Sequence, residues 1–169
     1  MRQGNGNWQV VGISRPSKWL WLSALIVVAD QISKQWIMSQ LQIYESKAVI
    51  PFLNFTLMYN AGAAFSFLNQ AGGWQRWFFI VLAIIVSSVL VVWLYRLPDG
   101  RRWFACALSL ILGGALGNLW DRLSLGYVVD FIDVYYGPWH WPAFNVADSA
   151  ITVGAVMLLL DALRRDTEA

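Results

Sequence analysis

The chain has 169 residues, 58% of them hydrophobic and only 13% charged, with a formal net charge of +2. Its length fits one domain, and the charged share is about half that of a soluble domain. With a mean hydropathy of +0.50, it reads as an integral membrane protein, and the small, scattered positive charge gives nucleic acid no footing.

Four apolar segments approach the roughly 20 residues needed to cross a bilayer. They fall at about 19–37, 77–95, 103–120 and 146–163. Trp and Tyr mark many of their ends, as at membrane interfaces. The predicted fold is mainly α, with four transmembrane helices and a small extracytoplasmic β-sheet on the outer face, all in one membrane-embedded domain over 1–169. A basic start precedes the first apolar run, as in a signal peptide. No small-x-small cleavage pattern follows Ala29, so the run reads as a retained first helix.

Basic residues set the orientation. Arg2, Arg15 and Lys18 precede the first segment, Arg96, Arg101 and Arg102 lie between the second and third, and Arg164 and Arg165 follow the fourth. These eight of the twelve Lys and Arg fall on one side. Lys34, Lys47, Arg76 and Arg122 are the remainder. Both termini are therefore expected in the cytoplasm, with about 38–76 and 121–145 facing outward.

Within the first segment, Asp30 and Lys34 are four apart on a helix and can pair. The next stretch, 38–73, is long, contains Gly62, Gly72 and Gly73, and reads as a lid over a site. Inside it, "FLNFTLMYN" (52–60) alternates: Asn54, Thr56 and Asn60 face one way, and Phe55, Leu57 and Tyr59 the other. That pattern predicts a strand. "NAGAAF" after it supplies a turn and close backbone approach at Gly62.

The third segment ends in "GGALGNLWDR". Gly113, Gly114, Ala115 and Gly117 permit close packing. Asp121 and Arg122 are adjacent, so they point apart on a helix and each needs its own partner. "YVVDFIDVYY" (127–136) is rich in β-branched and aromatic residues and predicts a second strand. Asp130 and Asp133 are three apart there, so a regular strand turns them to opposite faces. In "FNVADS" (144–149), Asn145 is a helix cap and Asp148 an acid three residues later, suited to the helix dipole.

Ionisable groups at a membrane edge point to function. Two carboxylates at one site share a proton, so one can act as base while the other acts as acid. Such a pair hydrolyses peptides without metal, serine or cysteine. Asp148 is one candidate member, and an acid of the second strand is the other. Cys106 lies alone in an apolar run, where a thiolate is disfavoured. His140 is the single histidine, and no HExxH motif or Cys/His cluster accompanies it, so no metal site is expected. A serine–lysine dyad would need Lys34, but its nearest candidate partner, Asp30, favours the charged form, and a charged lysine is a poor base.

"DQISK" (30–34), "YNAGAAFSF" (59–67), "GGALGNLWDR" (113–122), "VVDFID" (128–133) and "FNVADS" (144–149) occur in that order. Together they resemble lipoprotein signal peptidase, or signal peptidase II, over nearly the whole chain. The resemblance implies a multi-pass aspartyl endopeptidase of the bacterial inner membrane, with its active site near the outer face. Its substrates would be prolipoproteins carrying a diacylglyceryl-cysteine. Its other partners would be membrane lipids and globomycin-type inhibitors, and it would need no cofactor. Asp130 and Asp148 would be catalytic. Asp30, Lys34, Asn60, Gly62, Asn118, Asp121, Arg122 and Asn145 would bind substrate or support the dyad, and Asp133 lies outside the catalytic pattern. The rival reading is a small transporter or channel with an outward-facing acidic site. It requires acids spread through the membrane depth.

Overall fold

The computed structural model describes residues 17–62 and 73–166. Among the described residues, four helices and four short strands follow in the order α1 (Ser17–Gln40), β1 (Ser46–Ile50), β2 (Leu53–Asn60), α2 (Trp74–Arg96), α3 (Arg102–Ser124), β3 (Val128–Tyr136), β4 (Trp139–His140) and α4 (Val146–Asp166).

The helices follow from uninterrupted apolar runs. α2 has 23 residues, so at about 1.5 Å per residue it exceeds the roughly 30 Å hydrocarbon layer. Among the described residues, three helices are long and apolar enough to cross a membrane: Trp74–Arg96, Arg102–Ser124 and Val146–Arg164. α1 is equally long, but Asp30 and Lys34 interrupt its apolar run. Both are almost fully buried, at 0% and 1% exposure, so they face protein and not lipid.

α3 is the centre of the bundle. Half of its apolar window is buried, against 22% for α2 and 17% for α4, and it packs on all three other helices. Its glycines make this possible. A Cβ on Gly114 would run into the Ala147 carbonyl of α4, and one on Gly117 would sit 2.7 Å from Asp30 Oδ2 of α1. Ser23 Oγ adds a 2.8 Å hydrogen bond to the Ser109 carbonyl between α1 and α3.

The strands form one antiparallel sheet in the order β1-β2-β3-β4. β2 and β3 are the two strands predicted from the sequence, and they pair with each other. Leu57, Val129 and Phe131 pack with Ile37 and Leu41. This seats the sheet on the carboxyl end of α1. Much of the expected lid is thus regular structure: the end of α1 and the β1–β2 hairpin. Its residues 63–72 lie outside the described residues, as do Arg2 and Arg15.

One expectation fails here. Asp130 and Asp133 do not turn to opposite faces. The N–H groups of Phe131 and Ile132 both donate to the Phe144 carbonyl, at 3.0 and 2.8 Å, and the β2–β3 register slips between Phe55 and Met58. Two successive donors on one acceptor mark a β-bulge, which interrupts the alternation. Phe131 and Ile132 both join the apolar cluster under the sheet. Asp130 and Asp133 consequently both meet the even-numbered polar face of β2. Asn60 Nδ2 donates to Asp130 at 3.0 Å, and Thr56 Oγ1 donates to Asp133 at 3.0 Å.

Candidate active site

The site begins with the cap of α4. Asn145 Oδ1 accepts the Asp148 N–H at 2.8 Å, and the Asn145 N–H donates to Asp148 Oδ2 at 3.3 Å. This reciprocal pairing is a capping box built from Asn and Asp. Asn145 is fully buried, and its amide also faces β3. Its Nδ2 donates to Asp130 Oδ1 at 2.8 Å, to the Val129 carbonyl at 3.2 Å and to Asn118 Oδ1 at 3.2 Å. One asparagine therefore holds a strand aspartate and a helix-start aspartate in one place. Asn118 Nδ2 completes the link by donating to Asp148 Oδ1 at 2.8 Å.

Behind this pair lies a buried charge cluster. Lys34 Nζ has three donors, and each has an acceptor: Asp30 at 2.7 Å, Asp121 at 2.8 Å and Asn118 Oδ1 at 3.1 Å. Asp30 also accepts the Ala147 N–H of α4 at 2.9 Å, and Asp121 accepts the Val129 N–H of β3 at 3.1 Å. The cluster thus ties α1, α3, α4 and β3 together. Gln31 joins it through a 2.8 Å bond to Asp121 Oδ1. The sequence reading missed Gln31, although it lies within "DQISK".

Asp121 and Arg122 do find separate partners. Arg122 leaves the cluster, stacks over the Phe79 ring at 5.0 Å, and donates to the Gly62 carbonyl at 2.9 Å. Asn60 Oδ1 accepts the Gly62 N–H at 2.9 Å. Gly62 is therefore held on both sides beside the acids.

Asn60, Asn118, Arg122, Asp130 and Asp148 line one cleft of about 490 Å³, and Ile151 and Val153 of α4 give it an apolar wall. Asp30, Lys34 and Asp121 do not line it. The Asp130 carboxyl is pushed up to about 7. Burial is the main cause and the charge of Asp148 the second, opposed by the hydrogen bond from Asn60, by Lys34 and by Asn145. Asp130 is therefore protonated in a large share of molecules near neutral pH. The cleft can present a proton donor and an acceptor to one bond.

The fold and cleft define a membrane-embedded protein with a carboxyl pair at the end of its helical bundle. The sequence pattern of peptidase A8, signal peptidase (SPase) II, matches residues 22–164. The lipoprotein signal peptidase of Pseudomonas paraeruginosa is 59% identical over 148 residues, covering 86% of this chain and 88% of that protein. The lipoprotein signal peptidase of Alteromonas mediterranea is 52% identical over 144 residues, covering 85% and 79%. A solved bacterial membrane enzyme, studied by the in meso method, superposes with a TM-score of 0.78 at 36% identity over 89% of this chain and 90% of that one. A second gives 0.75 at 35% identity over 87% and 93%. The chain belongs to the signal peptidase II family.

Proposed function

We propose that this chain is an aspartyl endopeptidase of the bacterial inner membrane that removes signal peptides from diacylglyceryl-modified prolipoproteins. The observation that carries the reading is Asn145, which joins Asp130 and Asp148 at the mouth of one cleft. Asp148 is the initial base. It stands in the first turn of α4 and is capped by Asn145, where the helix dipole favours the anion. It takes a proton from water, and the hydroxide attacks the scissile carbonyl. Asp130, in the protonated form that its raised pKa keeps available near neutral pH, hydrogen-bonds the developing oxyanion and then gives its proton to the leaving amine. The C–N bond breaks, leaving a carboxylate on the signal peptide and a free amine on the lipidated cysteine. Asn60, Gly62, Asn118 and Arg122 hold the extended substrate backbone. Asp30, Lys34, Asp121 and Asn145 keep the dyad in register. No cofactor enters these steps.

The topology belongs to the same proposal. α1 is read as the fourth span, since its charges are buried against α3. Both termini are cytoplasmic, and the site lies near the outer face. The lipid tails and the apolar signal segment enter along the Ile151–Val153 wall, and globomycin-type inhibitors occupy the same cleft. The transporter reading is disfavoured because the acids gather with the sheet at one end of the bundle.

The test is cleavage of a diacylglyceryl-cysteine peptide by the purified protein. Cleavage before the cysteine, lost in Asp130→Asn and Asp148→Asn, is the expected result. Undiminished cleavage in either folded variant would overturn the assignment.

A further inference from the structure

A second groove opens from the same site. It shares Asn60, Asp130 and Trp141 with the catalytic cleft but runs along the sheet to Tyr44, Asp133 and His140. The two arms differ in chemistry. The catalytic cleft has the Arg122 guanidinium and the apolar wall of α4. The sheet groove has two carboxylates and a histidine, and no lysine or arginine lines it among the described residues.

At its far end, His140 Nδ1 meets Asp133 Oδ1 at 2.8 Å, and the ring stacks on Tyr135 at 5.4 Å. Thr56 donates to the other Asp133 oxygen at 3.0 Å. Asp133 is thus fixed, with its side chain 7% exposed, while His140 remains 52% exposed at the rim. A neutral ring that donates Nδ1–H to Asp133 leaves Nε2 as an acceptor. Asp133 brings a carboxylate to this end of the groove, and the exposed edge of the His140 ring faces the rim. The bulge at Phe131 and Ile132 is what brings Asp133 onto this face beside Asp130.

An endopeptidase cleft must hold chain on both sides of the cut bond. The apolar arm suits the membrane-embedded side. We propose that the sheet groove receives the polar residue following the lipidated cysteine, and that Asp133 with His140 favours cationic or donor-bearing side chains there and rejects acidic ones. This rests on the peptidase reading above. It gives Asp133 a selecting role that the dyad chemistry does not assign to it.

The experiment compares three diacylglyceryl-cysteine peptides that carry Lys, Ser or Asp immediately after the cysteine. For the unaltered enzyme, kcat/KM for the Lys peptide should exceed that for the Asp peptide by roughly fivefold, the scale of one partly exposed charge interaction. Asp133→Asn should bring the ratio close to one. His140→Lys, at the exposed rim, should favour the Asp peptide, and it decides the matter alone if Asp133→Asn does not fold. Equal rates with the unaltered enzyme would overturn the inference. So would a uniform fall across all three peptides in both variants, which would make the pair only a staple between β3 and β4. Cleavage of none of the peptides would overturn the peptidase reading and this inference with it, whereas cleavage without preference overturns this inference alone.

Discussion

Two sets of aspartates sit within one network, and their surroundings make them different groups. Asp30 and Asp121 share Lys34, at 2.7 and 2.8 Å. Asp130 and Asp148 share Asn145, an amide with no charge to offer. A buried carboxylate with a cation beside it is a fastener. A buried carboxylate facing another across an amide binds a proton more tightly, and Asp130 is pushed up to about 7. The residue type is the same in both sets, so the neighbour decides the role.

The comparison breaks most sharply in the dyad. Asp130→Asn and Asp148→Asn should each lower cleavage roughly 10²–10⁴-fold or more, read as kcat/KM on folded protein. The double variant should be little worse than either single one, because the two act as a unit. Additive losses would mean that the two acids work separately. Asp133, whose carboxylate is held by Thr56 and His140, should keep the chemical step when changed to Asn and alter substrate choice instead.

The fastener should fail first in stability. Lys34→Met leaves Asp30 and Asp121 buried side by side without their cation, and breaking such a cluster costs about 3–5 kcal/mol. Thermal unfolding in detergent should show a large fall in Tm. Retention of the original Tm would show that the two sets do not differ in the way their neighbours suggest.

The sequence showed some of this and hid the rest, for physical reasons. α2 was plain because "WFFIVLAIIVSSVLVVWLY" has no charge to interrupt it. β2 and β3 were visible through alternation and β-branched content. β1, "SKAVI", is exposed along its whole length, so it shows no burial alternation, and β4 has only two residues. The Asp30–Lys34 pair was legible because it is local. Its third member, Asp121, stands far along the chain and is set by helix packing. Asp148 was legible as a helix-start acid. The choice between Asp130 and Asp133 was not legible from spacing, because the bulge depends on the Phe144 carbonyl, which arrives from another segment.

The proton on Asp130 sharpens the comparison further. If it is the acid that feeds the leaving amine, kcat/KM should fall about tenfold per pH unit above a midpoint near 7, the value to which this carboxyl is pushed. A profile that stays flat well into the alkaline range would place the essential proton elsewhere.

The last effect is on stability, and its sign is opposite to that of the fastener. The folded chain raises Asp130 from 3.8 to about 7, so folding favours the protonated acid. That contribution is fully present below the lower value, is lost as pH rises toward the upper one, and is level beyond it. The amide introduced by Asp130→Asn has no proton to lose. It does place a hydrogen-bond donor against the donors of Asn60 or Asn145, which now meet carboxylate oxygens at 3.0 and 2.8 Å. That cost is independent of pH, so the absolute Tm of the variant is not the readout. The readout is the difference between Asp130→Asn and the unaltered protein. It should move in favour of the variant, by several degrees, between about pH 4 and about pH 7, and then level off. A difference that does not change with pH would mean that burial of Asp130 costs the folded protein nothing.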